Sequence, residues 1–114
     1  MQRILKVIHE LDHVLGCLLI TDDGRPAHVY YSSALNIPSD GYDWRPFVNE
    51  LQNIQEAEVL FSDMRLYARK TNIGYLLIVM EIYAVQSFIK LQCDVIISKI
   101  ENLKTKGFKR FFRK

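Results

Sequence analysis

Two stretches of this 114-residue chain are apolar almost without a break, CLLIT at 17–21 and YLLIVMEI at 75–82. A strand with one face in water alternates polar and apolar residues, because successive side chains point to opposite sides. A continuous apolar run therefore belongs to a strand buried on both faces. The two runs predict the central strands of a single sheet, with helices covering both of its faces. After CLLIT the chain reads DDG and then RPAHVYY. Asp23-Gly24 between two extended segments is a strong hairpin signal, since glycine supplies the positive φ of a tight turn. Pro26 has no amide to donate, so the second strand belongs at a sheet edge or starts irregularly.

The remaining segments sort by period. Ile4, Ile8, Leu11 and Leu15 form one stripe at helical spacing, predicting a first helix over 3–15 that ends at Gly16. Residues 32–42 read as a connecting loop. Trp44, Phe47, Val48, Leu51 and Ile54 predict a second amphipathic helix over 44–56, with Asp43 as its N-cap and Pro46 in the first turn. EVLFSD (58–63) and RLYARKT (65–71) read as strands and complete a meander with YLLIVMEI. Val85, Phe88, Ile89, Ile96, Ile100 and Leu103 define a third helix over 84–104, before Gly107. The expected class is α+β in the order α-β-β-α-β-β-β-α, a five-stranded antiparallel sheet with helices on both faces. A composition of 49% hydrophobic and 25% charged residues suits one domain, 1–103, with a tail at 104–114.

HELDHVLG at 9–16 has the spacing H-E-x-x-H-x-x-G used by zinc peptidases. Two histidines four apart on a helix reach one metal, and the glutamate between them acts as general base toward the bound water. A third ligand is required. Where the longer motif places it stands Leu19, which leaves His28 or a distant carboxylate such as Glu50, Glu56, Glu58 or Glu81. On a helix over 3–15, His9 and His13 lie about 150° from the middle of the apolar stripe. The expectation is a water-facing polar surface without metal, and no cofactor. The sequence has no glycine-rich phosphate loop, no Cys and His signature of a nucleophile and no paired metal-binding cysteines. Cys17 and Cys93 each sit in an apolar run and read as buried thiols in a reducing cytosol. Neither a secretory signal nor a bilayer-length apolar span is expected from this pattern, which points to a cytoplasmic protein.

Charge is unevenly placed. Lys and Arg number 15 against 13 Asp and Glu, a net of +2, but KTKGFKRFFRK at 104–114 holds six cations and no acid. Without it the body carries 9 − 13 = −4. Lys104, Lys106, Lys109, Arg110, Arg113 and Lys114, interleaved with Phe108, Phe111 and Phe112, suit an anionic lipid surface, an acidic protein surface or a solvated frayed end. Nucleic acid is not expected, because the acidic body would repel a polyanion.

The order of elements and the stretch LGCLLITDDGRPAHVYY resemble the roadblock (dynein light chain) family, within the wider group of profilin-like and longin-like folds. IGYLLIVM is similar to that family's glycine-started central strand, and the resemblance runs through about residue 103. Val85-Gln86-Ser87 stand where members carry a small residue, often glycine, and the basic tail is an addition. The resemblance implies a non-catalytic, dimerising platform, one that in bacteria and archaea accompanies Ras-like small GTPases. It further implies pairing through the third strand, here Glu58, Val59, Leu60, Phe61 and Ser62, beside a second helix offering Trp44, Phe47, Leu51 and Ile54. The partner copy can be identical or a sister subunit. An apolar segment on an edge strand agrees with such pairing. The competing class is a profilin-like small-molecule sensor, for which the core offers aliphatic residues with Cys17 and Cys93.

Overall fold

The computed structural model describes residues 2–32, 44–60 and 62–106. The elements run α1 (Gln2–His9), β1 (Val14–Thr21), β2 (Pro26–Tyr31), α2 (Arg45–Glu50), β3 (Glu56–Leu60), β4 (Met64–Lys70), β5 (Gly74–Glu81) and α3 (Gln86–Lys106). The five strands form one antiparallel sheet in the order β2-β1-β5-β4-β3. The two continuously apolar runs are the adjacent inner strands β1 and β5, as burial on both faces requires.

Each face has its own core. On one, Leu5 and Ile8 of α1 and Ile89, Cys93, Ile96 and Ile100 of α3 pack on Cys17, Leu19, Tyr67, Leu76, Ile78 and Met80. On the other, Val48 and Leu51 of α2 pack on Leu18, Ile20, Ala68, Tyr75, Leu77 and Val79. The alternation along β5 sends Leu76 and Ile78 to the first core and Leu77 and Val79 to the second. Each large aliphatic side chain so buried contributes about 1.5–3 kcal/mol.

The β1–β2 hairpin turns at Asp23-Gly24, with Gly24 at φ 85° and its amide donating to the Thr21 carbonyl at 2.9 Å. The pairing slips at Leu19/Ile20, where Ile20 opposes Pro26, so the edge strand starts irregularly where proline withholds an amide. Gly74 opens β5 at φ 155°, and a Cβ there would lie 2.0 Å from the Ile20 carbonyl oxygen.

Three boundaries differ from the sequence expectation. The first helix stops at His9, six residues early, and Gly16 lies inside β1 instead of ending a helix. His13, at φ 71°, turns the chain, and Val14 onward pairs with β5 from Met80 back to Gly74. Strand pairing through the core outweighs the local helical period there. The second helix stops at Glu50, after which Asn53 at φ 71° redirects the chain. Trp44 occupies its N-cap without a side-chain cap bond, Pro46 lies in the first turn as expected, and Asp43 lies outside the described residues. In the third helix the sheet-facing row is Ile89, Cys93, Ile96, Ile97 and Ile100, whereas Val85 and Phe88 stay exposed. The side chain of Leu103 lies outside the described residues.

Candidate functional site

The HELDH histidines do not share a helix. His9 ends α1, and its ring stacks on Tyr30 at 4.1 Å between centroids, with Nε2 2.8 Å from Nε2 of His28. It is half-buried, so the expectation that it faces water is corrected: β2 lies alongside α1 and takes up the imidazole. One ring of this pair donates and the other accepts, which requires a neutral acceptor. Burial lowers the pKa of His9, and burial followed by the neighbouring His9 lowers that of His28. His13 instead reaches the Glu81 carboxylate at 2.8 Å. The other possible ligands scatter: Glu56 binds Tyr67 and Lys90, Glu58 pairs with Arg65, and Glu50 is exposed at the end of α2. Among the described residues no three His, Cys, Asp or Glu are grouped to hold a metal ion. Both thiols are free and buried, and burial pushes Cys93 up to about 12 and raises Cys17 still further from the thiolate a nucleophile needs.

The edge strand β3 presents the other candidate. Its register, from Glu56↔Arg69 to Leu60↔Arg65, places Ala57 and Val59 on the α2 face and Glu56, Glu58 and Leu60 on the α3 face. Leu60 is 70% exposed and Val59 is 40%. The polar residues of the strand are occupied. The Tyr67 hydroxyl donates to the Glu56 carboxylate, Lys90 Nζ lies 3.2 Å from it, and Arg65 Nη1 lies 3.5 Å from Glu58. The tyrosine bond, then that of Lys90, holds Glu56 below the usual carboxylate range. Arg69 meets Asp94 at 2.7 Å, so α3 is pinned to the outer strands by two ion pairs. What β3 leaves unsatisfied is its outward row of backbone groups and its two apolar side chains.

The second-helix residues pack over the inner strands β1 and β5. Trp44 and Phe47 are half-buried and meet edge to face at 5.7 Å. Leu51 is only 9% exposed and belongs to the core, its carbonyl accepting from the Tyr75 hydroxyl at 2.5 Å. Ile54, past the helix end, keeps an exposed side chain. Ile54, Val59 and Leu60 are thus exposed and Trp44 and Phe47 pack on the α2-side core, with the start of α2 beside the β1–β2 turn at Gly24, while Ser62 is an exposed bend residue and Phe61 lies outside the described residues. Lys104 and Lys106 are in the last turns of α3, and Phe108, Lys109, Arg110, Phe111, Phe112, Arg113 and Lys114 lie outside the described residues.

One surface escaped the sequence reading. Phe88, Leu91 and Val95 lie on the outer side of α3 and are exposed. Their own spacing of three and four was the available signal, but Ile89, Ile96 and Ile100 on the inner side masked it by making the helix apolar on two faces. Among the described residues no helix is long and apolar enough to cross a membrane.

No protein-family model matches the sequence, and no curated protein matches it. Solved structures do match the fold. A Roadblock/LC7 domain from Streptomyces avermitilis superposes at TM-score 0.75 and 10% identity, over 93% of this chain and 98% of that one. MglC from Myxococcus xanthus gives 0.57 at 14% identity over 82% and 89%. MglB, described with a tetrameric arrangement, gives 0.62 at 16% identity over 96% and 88%. The chain therefore has the roadblock fold that its sequence resembles, at identities that speak for architecture alone.

Proposed function

We propose that this protein is a non-catalytic scaffold or regulator, which pairs through β3 and serves a Ras-like small GTPase or another cytoplasmic protein. The fold it shares with the Roadblock/LC7 domain, MglC and MglB supports the class. The observation that carries the pairing is the edge strand itself: Leu60 is exposed, Val59 is half-exposed, and the strand's two glutamates are engaged within the chain, Glu56 by Tyr67 and Lys90 and Glu58 by Arg65. A two-fold partner satisfies the outward backbone groups and covers Trp44, Phe47 and Ile54 at once. Phe61 and Ser62 extend the same edge in sequence.

Leu60→Lys tests it. A cation on the joining strand should lower the mass in light scattering by half or abolish association, while circular dichroism stays unchanged because the side chain is exposed in the monomer. A folded variant that associates as the wild type does would sink this interface. The partner is tested by binding of Ras-like GTPases of the native organism, loaded with GDP or a non-hydrolysable GTP analogue. Binding by the wild type and its loss in Leu60→Lys is the expected result; no binding by any of them removes the GTPase reading.

A further inference from the structure

Helix α3 carries a second apolar surface, on the face of the sheet opposite to α2. Phe88, Leu91 and Val95 lie along its outer side, with Leu91 57% exposed. Val85 joins them at 64%, its carbonyl accepting from the amides of Phe88 and Ile89 in the first turn. The spacings of three, three and four put these side chains in one row, about 15 Å long at 1.5 Å per residue. Beyond Val95 the row turns polar at Lys99 and Asn102. Single exposed apolar residues are ordinary on any protein, but four in a row mark a contact surface. The charges beside it are engaged elsewhere, Lys90 by Glu56 and Asp94 by Arg69.

At its start the row opens into a depression of about 640 Å³, floored by Leu11, Val85, Phe88 and Ile89 and rimmed by Glu10, Asp12 and His13. The imidazole of His13 is held by Glu81 at 2.8 Å. Among the described residues neither Glu10 nor Asp12 is in an ion pair, so the rim presents two uncompensated carboxylates to whatever lies on the apolar floor.

We infer that this face docks a basic amphipathic helix of another protein, with its apolar seam along 85–95 and a lysine or arginine at the Glu10 and Asp12 rim. The spacing selects a helix: an exposed row at three, three and four is the ridge against which a second helix interlocks its own side chains. Charge selects the sign. A cation at the rim meets both carboxylates beside a water-poor apolar floor, where the attraction is stronger than in open solvent. The net −4 that the chain carries outside 104–114 draws a basic segment and repels another acidic body. An anionic lipid surface is repelled by the same two carboxylates. The surface is separate from the β3 edge, and the inference does not rest on pairing there.

Fluorescence anisotropy with the full-length protein tests this. The probes are labelled synthetic peptides of about 18 residues, long enough to form a helix. One has a leucine seam at helical spacing flanked by lysines, one has the same seam flanked by glutamates, and one is the lysine peptide with its leucines scrambled off the seam. The lysine peptide should bind about tenfold or more tightly than either of the others. Leu91→Glu should abolish that binding, with Val95→Glu as the second variant should Leu91→Glu fail to fold. Glu10→Lys with Asp12→Lys should weaken the lysine peptide and strengthen the glutamate peptide, each about tenfold at low salt. Leu60→Lys should bind as the wild type does. A scrambled peptide that binds as tightly as the seam overturns the inference, since attraction to the acidic body then needs no docking face. Affinities for both seam peptides that the charge reversal leaves unchanged overturn it too. So does the absence of binding by any peptide, and the folded Leu91→Glu variant then identifies the occupant. A mass that falls in sedimentation velocity assigns the face to a second copy, and cosedimentation with anionic or neutral vesicles that this variant loses assigns it to lipid.

Discussion

His9 and His28 join α1 to the edge strand β2 through a single bond between two ring nitrogens, and that bond titrates. Both imidazoles have a folded pKa below the ordinary 6.5, with burial the leading cause for each. The groups facing them are Lys6 and Glu10 beside His9 on the α1 side, and Tyr30 stacked on His9 from β2. Below about pH 6.5 the unfolded chain binds protons that the folded pair resists, so stability falls as pH falls through that window. Glu56 and Asp23, held low by hydrogen bonds from Tyr67 and Thr21, add their own loss only below the carboxylate value near 4.5. The melting midpoint should therefore drop between about pH 7.5 and pH 5.5, and His9→Gln should flatten the drop. An equal slope in that variant would show that the pair is not responsible. Gly74 sets a second residue-scale expectation. Gly74→Ala forces a Cβ against the Ile20 carbonyl and should cost about 2 kcal/mol or more in denaturant unfolding; an unchanged midpoint would mean that the start of β5 can shift. The Asp23-Gly24 turn was legible in the sequence because glycine's freedom is a local property. The histidine pair was not, since it joins residues 19 apart whose approach depends on how α1 lies against β2.

At the scale of elements, strand periods were readable and helix ends were not. The apolar runs identified β1 and β5, and Pro26 identified an edge, because burial on two faces and a missing amide leave marks in the sequence itself. The stripe Ile4-Ile8-Leu11-Leu15 overran its helix because Leu11 still packs on the α1 core after the helix has ended, and Leu15 packs on the opposite face from within β1. In α2 the stripe overran for a different reason, since Ile54 lies past the helix end with an exposed side chain. That short helix depends on its anchors: Val48 and Leu51 in the core, and the hydroxyl of Tyr75 on the Leu51 carbonyl. Tyr75→Phe should cost about 1 kcal/mol and speed amide hydrogen exchange selectively over 45–51. Exchange that accelerates evenly across the sheet would show the bond to be generally stabilising, with no special hold on α2.

For the molecule as a whole, placing α2 on one face and α1 with α3 on the other separates two apolar surfaces, one at the β3 edge and one along α3. The first was legible because the apolar pair Val59-Leu60 on an edge strand announces itself; the second depends on which way a doubly apolar helix is rotated, which only the packing of Ile89, Cys93, Ile96 and Ile100 decides. The two ends of the sheet also differ. At β3 the strand is regular and ends in the exposed Leu60, whereas β2 begins at Pro26 with a slipped register beside it. Pro26→Val restores an amide to that end and should yield thioflavin-positive aggregates on prolonged incubation that the parent protein resists; equal resistance in the variant would place the block elsewhere. On the pairing proposed through β3, one end joins and the other refuses, so the row of strands is extended once and then stops, and a chain rich in β-forming apolar runs is kept from growing into a fibre.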